Sequence, residues 1–364
     1  MSNFEKIKIK HILKKIPRQK KIKKSNYTKS GKIPIIDQGE DYISGYTDDL
    51  DYKYDGELPV VIFGDHTRRF KWVPFSFASG GDGTKILSPH EDIDIKFFYY
   101  NLLNLKLKNY GYSRHFKYLK EKEIFKPNKP LQIKISDILS QYDELIFNNN
   151  HRVMFLDEIS KRIYEEWFVY CRYPGYKNDE FFISEYGKIP KKWKYEKLGE
   201  VLNLEYGEGL RKSDRIKGDY PVYGSSGVID YHNDFLVSSP CIIVGRKGNV
   251  GSVYWSHNDC NPIDTVYYVK TDLSPYYVYF NLLNQNFIDS HAAVPGLNRN
   301  QAYNLHFLVP SKDVIFKFEE IIKPIFDFKY KLEQKNNLLR EVRDFLLPKL
   351  ISGTIDVSDL DIEV

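Results

Sequence analysis

Two glycine-bounded stretches carry the side chains best able to act on a ligand. One is Gly245-Arg246-Lys247-Gly248-Asn249-Val250-Gly251, after the apolar run Cys241-Ile242-Ile243-Val244. Its glycines permit a tight turn and close backbone approach. Arg246 and Lys247 at the tip suit phosphate or the guanine edge, and Asn249 suits adenine. The same pattern also reads as a hairpin turn with solvated charges. The other stretch is Gly64-Asp65-His66-Thr67-Arg68-Arg69-Phe70-Lys71, after Val60-Val61-Ile62-Phe63. Asp65 and His66 have the residue types for acid–base work, but no nucleophile accompanies them. Arg68, Arg69 and Lys71 are therefore expected on a turn facing a polyanion. Polar forks at Ser113-Arg114-His115 and Asn298-Arg299-Asn300-Gln301 suit phosphate positioning or adenine readout. Arg211 and Lys212, beyond Gly207-Glu208-Gly209, are expected to be phosphate contacts, the commoner kind. Asp82 and Asp264 follow the two loops at similar distances and are expected to hold turns or orient loop donors.

Charge points the same way. The chain carries 54 Lys/Arg against 49 Asp/Glu, a net +5. Residues 1–32 hold 12 of those cations against Glu5 alone, so the remainder is net acidic. A basic arm on a near-neutral body indicates a polyanionic partner, with a solvated tail as the alternative. Lys20, Lys21, Lys23 and Lys24 are expected to supply salt-dependent, sequence-blind affinity.

Several chemistries lack their signatures. There is no P-loop and no His-Glu-x-x-His. Asn261-Pro262-Ile263-Asp264 does not match the Asn/Asp-Pro-Pro-Tyr-like motif of a methyltransferase. A carboxylate–lysine nuclease centre has spacing too loose to be read from one sequence. Cys171, Cys241 and Cys260 are too widely spaced for a disulfide framework or a zinc site. No apolar run spans a membrane and the basic N-terminus lacks a signal-type apolar region, so a cytoplasmic setting is expected. No catalytic residue, metal or cofactor is expected.

The elements that position these residues come twice, at an offset near 180 residues. Leu58-Pro59-Val60-Val61-Ile62-Phe63-Gly64 echoes Ser239-Pro240-Cys241-Ile242-Ile243-Val244-Gly245; Phe98-Tyr99-Tyr100-Asn101-Leu102-Leu103 echoes Val278-Tyr279-Phe280-Asn281-Leu282-Leu283; and Gly111-Tyr112-Ser113-Arg114 echoes Gly296-Leu297-Asn298-Arg299. Each copy opens strand-rich and closes on a helical seam. The first seam is Ile138, Tyr142, Leu145, Val153, Leu156, Ile163 and Trp167; the second is Phe318, Ile321, Ile325, Leu332, Leu339, Val342 and Leu346. Pro324 is expected to kink the second helix or mark its first turn. Among Asn148, Asn149 and Asn150, a buried Asn would fix register and an exposed one would fray the helix. The predicted fold is α/β (α+β): two globular domains separated by two long helices forming an antiparallel coiled coil, with a pseudo-twofold internal repeat. The boundaries are 1–137 and 176–312 for the domains, 138–175 and 313–350 for the helices, and 351–364 for a tail.

Several motifs resemble the specificity subunit of type I restriction-modification enzymes. They are Gly187-Lys188-Ile189-Pro190-Lys191-Lys192-Trp193 with Lys197-Leu198-Gly199-Glu200-Val201; Ile243 through Gly251; Ile163-Tyr164-Glu165-Glu166-Trp167-Phe168-Val169; and Leu346-Leu347-Pro348-Lys349-Leu350-Ile351-Ser352-Gly353 with Ile355-Asp356-Val357. The first half lacks the Ile-Pro-x-x-Trp opening, for which Phe4 through Leu13 would stand in. The resemblance implies two target-recognition domains that read the halves of a split, asymmetric site on double-stranded DNA. It also implies a helical spacer that docks methyltransferase subunits, assigned to Trp167, Phe168, Leu346 and Leu347, and a restriction/translocase subunit that completes the complex. Two other classes compete: a self-sufficient DNA-cleaving enzyme with a hidden carboxylate centre, and a coiled-coil scaffold whose heads bind protein.

Overall fold

A computed structural model describes residues 5–109, 111, 113–287 and 296–360. Phe4 and Tyr112, named above, lie outside the described residues. The chain divides into two compact units, Met1–Asn148 with Lys335–Val364, and Asn149–Gln334.

In the first unit the elements are β1 (Glu5–Lys8), β2 (Ile33–Ile36), β3 (Gly45–Thr47), β4 (Val60–Gly64), β5 (Phe70–Val73), β6 (Ala78–Ser79), β7 (Thr84–Leu87), α1 (Ile95–Asn104), α2 (Phe116–Lys120) and β8 (Glu123–Lys126). The long helix α3 (Lys129–Tyr164) follows. β4 is apolar and buried along its whole length because β5 and β7 flank it on both edges. β2 pairs antiparallel with β3 and parallel with β6. α1 begins where the Asp94 carboxylate accepts the Phe97 N–H at 2.7 Å, a side-chain cap for an otherwise orphaned donor. Its Phe98 and Leu102 join Val61, Phe63 and Leu87 in one core, and its Phe97 and Tyr100 join Leu131, Ile135 and Leu139 in another.

The second unit repeats this order. After the hairpin β9 (Phe181–Ser184) and β10 (Gly187–Pro190) come β11 (Lys194–Lys197), α4 (Leu198–Val201), β12 (Leu202–Tyr206), β13 (Tyr220–Gly224), β14 (Gly227–His232), β15 (Cys241–Gly245), β16 (Val253–Ser256), β17 (Asn261–Pro262), β18 (Val266–Thr271), α5 (Pro275–Leu283), α6 (Arg299–Tyr303), β19 (His306–Val309) and α7 (Lys312–Ile351). β15 is buried between β16 and β18 as β4 is between β5 and β7. β13 pairs parallel with β17 as β2 does with β6. β1 pairs with β8 as β11 does with β19, so Glu5–Lys8 occupies the place that the missing opening motif would lead into.

Each unit contains a segment of both long helices, packed antiparallel. In the first, Leu131, Ile135 and Leu139 of α3 share a core with Leu347, Leu350 and Ile351 of α7, and Arg343 bonds Asp143. In the second, Tyr164 of α3 and Phe168 just beyond it surround Phe318 of α7, and Lys329 bonds Asp157. α3 starts earlier than its seam predicts, because Asn128 caps it by accepting the Leu131 N–H at 3.0 Å and Pro130 is tolerated in a first turn. It ends earlier too, passing at Tyr164 into a π turn over Glu165–Val169. Most seam positions are buried or half-buried, but Leu145, Ile321 and Val342 are exposed, and Ile146, Asn149, Ile322 and Phe326 are buried beside them. α7 runs through Pro324, which lies on its exposed side and is not its first turn.

His257 lies within this packing. Its ring stacks on Tyr330 at 4.7 Å and faces Phe326, and burial, with Lys329 nearby, pushes its pKa down to about 4 against the ordinary 6.5, a shift that Asp327 partly opposes. The folded state therefore binds this proton less well than the unfolded chain. The stability it contributes is present above about 6.5 and lost as pH falls toward 4. Unfolding midpoints measured across that window should fall more steeply for the native chain than for His257→Phe. In the same assay Phe318→Ala, at a fully buried ring, should cost about 3–5 kcal/mol. Phe155→Ala, at a ring 62% exposed, should stay within about 0.5 kcal/mol.

Candidate nucleic-acid interface

In the second unit three segments converge on one ring. β12 ends at Tyr206, β15 runs into Arg246, and α6 opens on Arg299. The Arg246 guanidinium lies 4.7 Å from the Tyr206 ring and that of Arg299 4.9 Å from it. Arg246 is fixed further: its N–H donates to the Thr265 carbonyl at 2.9 Å, its carbonyl accepts the Leu297 N–H at 2.7 Å, and its Nη1 donates to the Asp264 carbonyl at 2.9 Å. Arg299 reaches the Leu204 carbonyl at 3.5 Å. Among the described residues neither guanidinium has a carboxylate oxygen within 4.0 Å. Two cations backed by an aromatic face and left uncompensated make a site for an anionic or acceptor-rich group. Tyr206 was not singled out from the sequence, where a Tyr at a strand end reads as an ordinary strand residue; Gly207 beside it was the available signal.

Other predicted residues fall around this cluster. Lys247 faces the Asp264 carboxylate at 3.8 Å, and Asn249 is exposed on the turn. Asn298 is engaged as a helix cap, its Oδ1 accepting the N–H groups of Asn300 and Gln301 at 2.9 and 3.2 Å. Its Oδ1 is thus committed to the cap, and Asn298, Asn300 and Gln301 are all exposed. Arg211 and Lys212 are exposed at a 3-10 turn over Lys212–Asp214.

In the first unit the equivalent loop is chemically different. Asp65 stands where the second unit has Arg246. It is buried, its carbonyl accepts the His115 N–H at 3.0 Å, its carboxylate accepts the Phe116 N–H at 2.7 Å, and Lys85 lies 3.9 Å away. His115 is buried with its ring Nδ1 3.0 Å from the same carbonyl, so it anchors the loop and does not face a ligand. Lys71 is corrected likewise: it is buried, donates to the Asp41 carbonyl at 2.5 Å, and burial holds its pKa below the ordinary value. Arg68 takes a left-handed φ of 60° to close the turn and donates to the Leu107 carbonyl at 3.1 Å. Arg69 is exposed and paired with Glu40 at 2.7 Å. Arg114 is exposed beside the half-buried Ser113.

Two further sets of predicted residues lie partly within the fold. The lysine arm is part of the fold. Ile22 is buried and bridges to Gly80, Lys21 donates to the Thr84 carbonyl at 2.6 Å, and Lys20 pairs with Asp51 at 3.0 Å. Burial pushes the Lys21 pKa down, with the Lys85 charge adding to the effect. Lys23 and Lys24 are exposed. The docking residues Trp167, Phe168 and Leu347 are buried in the cores of their own units and Leu346 is half-buried, so these side chains are occupied. No group of three His, Cys, Asp or Glu among the described residues is arranged to hold a metal ion. No helix among them is long and apolar enough to cross a membrane.

The molecule is thus a duplicated mixed α/β protein in which two copies of one sheet-and-helix unit present different polar loops. A family model for the type I restriction modification DNA specificity domain matches residues 1–153 and again 190–341, and the chain belongs to this family. It is 25% identical over 272 residues to the specificity subunit of the type I restriction enzyme MjaIX of Methanocaldococcus jannaschii, covering 66% of this chain and 62% of that protein. It is 32% identical over 87 residues to the EcoR124I/EcoR124II specificity subunit of Escherichia coli, covering 23% of this chain and 22% of that one. The matches thus span less than two thirds of either relative. The crystal structure of the type I restriction-modification S subunit from M. genitalium shares the fold, with a TM-score of 0.62 at 18% identity over 100% of this chain and 97% of that one.

The arm's two kinds of lysine separate experimentally. Lys21→Ala strands two carbonyls and should destabilise the first unit by about 1 kcal/mol. The double change Lys23→Ala, Lys24→Ala should leave thermal stability unchanged and lower the slope of DNA affinity against salt. An unaltered slope would remove these two residues from the interface.

Proposed function

We propose that this chain is the DNA-specificity subunit of a type I restriction-modification complex, acting in the cytoplasm without cofactor or catalytic site of its own. The observation that carries the reading is the pair Arg246 and Arg299, held on Tyr206 without carboxylate partners among the described residues. A solvated surface arginine gains little from such fixation; a reader of guanine or phosphate gains a prepaid geometry. The first unit presents Arg69 and Arg114 in the corresponding region, over an acidic Asp65. Different loops on one scaffold support different half-sites and an asymmetric target on double-stranded DNA.

The partners in this reading are methyltransferase subunits and a restriction/translocase subunit. With Trp167, Phe168 and Leu347 buried, the docking surface is assigned instead to exposed apolar residues of the long helices: Met154, Phe155 and Ile159 of α3 in the second unit, and Leu338, Val342 and Phe345 of α7 in the first. Isolated exposed apolar residues are ordinary, but runs on one helix face are the usual mark of a partner.

The test is sequence-specific binding by the chain co-expressed with its methyltransferase subunit. Arg246→Ala and Arg299→Ala should each weaken binding by about 1–3 kcal/mol on DNA carrying the second half-site. DNA altered only in that half-site should show a much smaller loss. Equal losses on random DNA would make the arginines phosphate contacts. Cleavage of DNA by the chain alone with magnesium would overturn the non-catalytic assignment.

A further inference from the structure

Tyr206 touches both guanidiniums, and no other described ring does so as closely. Its second neighbour is Tyr267, at 5.0 Å between ring centres, and the Tyr267 hydroxyl donates to the Leu297 carbonyl at 3.1 Å. Leu297 in turn donates its N–H to Arg246 and precedes the Asn298 cap and Arg299. Tyr303, one turn along α6, lies 5.9 Å from Arg299, and its hydroxyl accepts the Leu204 N–H at 3.0 Å on the strand that ends at Tyr206. The ring therefore sits in a closed circuit of contacts, with its own face turned to the two cations. It is nonetheless 45% exposed, so the core does not require it.

This arrangement answers a geometric problem. An arginine has many rotamers, and a fork that must meet two acceptors on one base edge needs its plane fixed before contact. A phosphate also accepts the fork, but it presents the same chemistry at every base pair, so a plane fixed for it would carry no sequence preference. The Arg246 guanidinium is fixed by the Asp264 carbonyl at one nitrogen and by the Tyr206 face.

We infer that Tyr206 is a specificity-determining positioning residue that orients the planes of Arg246 and Arg299 toward the acceptor edge of guanine in the second half-site. The inference rests on the function proposed above. Its test uses the full chain co-expressed with its methyltransferase subunit, methylating a library of randomised duplexes. Methylated sequences are read for the native chain, Tyr206→Phe and Tyr206→Leu. The phenylalanine variant keeps the ring and should keep the native profile. The leucine variant should lose discrimination by about tenfold at guanine positions of the second half-site, the worth of a lost cation–aromatic contact. Its first half-site preference should stay native, which also certifies that the variant folds and assembles.

Three results would overturn the inference. Native discrimination in the leucine variant would show that the ring positions nothing. Uniform weakening with the second half-site preference intact would assign the arginines to phosphate. Failure of the phenylalanine variant alongside the leucine one would give the role to the hydroxyl and its contact with Tyr267. If the native complex shows no sequence preference in either half-site, the proposed function itself fails, and this inference with it.

Discussion

The packing of distant helical segments into each unit is the constraint on which the rest depends. In the second unit Phe318 lies 4.9 Å from Phe168, near perpendicular to it, and also faces Trp167, Tyr164 and Phe280. Phe168 meets Tyr277 of α5 at 4.6 Å, and α5 packs over β15 and β16. β15 carries Arg246 on its next residue. The aromatic core thus reaches the polar loop through two packed elements, which is how a close-packed interior transmits position. The first unit is built on the same plan with aliphatic contacts, Leu347, Leu350 and Ile351 closing over Leu131, Ile135 and Leu139. Neither unit has a complete core without residues from well beyond its own globular sequence.

On this shared scaffold the two loops differ in how charge is balanced. The first unit matches cations with acids at short range: Arg69 with Glu40, Lys85 with Asp65, Lys71 with Asp37 and Lys20 with Asp51. The exposed pairs among these, Arg69 with Glu40 and Lys20 with Asp51, contribute little stability, so their main effect is to lower the field the unit presents. The second unit backs Arg246 and Arg299 with an aromatic face, which holds a cation without neutralising it. One scaffold can therefore carry loops of different appetite for a polyanion with the strand order unchanged.

Much of this was legible in the sequence, for identifiable reasons. The duplication showed because buried strands such as Val60–Gly64 and Cys241–Gly245 must be apolar on both faces. The glycine loops showed because turn chemistry is local. The helical seams were found apart from single positions, since stepping by three and four admits neighbouring phases; Leu145 and Ile146 are equally apolar, and only tertiary contacts choose the second. The anchoring of the lysine arm was not legible, because a charge count does not see that Ile22 pairs with the Gly80 backbone. Trp167 and Phe168 were misread because large aromatics at a helix end suit an interface and a core equally.

Tyr206 was the residue least accessible to sequence reasoning, and its placement follows from two glycines. A Cβ on Gly207 would meet the Ile263 carbonyl at 2.2 Å and that of Pro262 at 2.4 Å. β12 can therefore end against Pro262 and Ile263 only with glycine there, and Tyr206, the residue before it, pairs with Tyr267 and lies under the Arg246 guanidinium. A Cβ on Gly245 would meet the Asn249 carbonyl at 2.1 Å and the Ser252 hydroxyl at 2.3 Å. The turn folds back tightly on itself only because that Cβ is missing, and Arg246 leaves it toward Tyr206. The guanidiniums are the visible chemistry of the site, but the distance between them is set by backbone approaches at glycines that carry no chemistry at all.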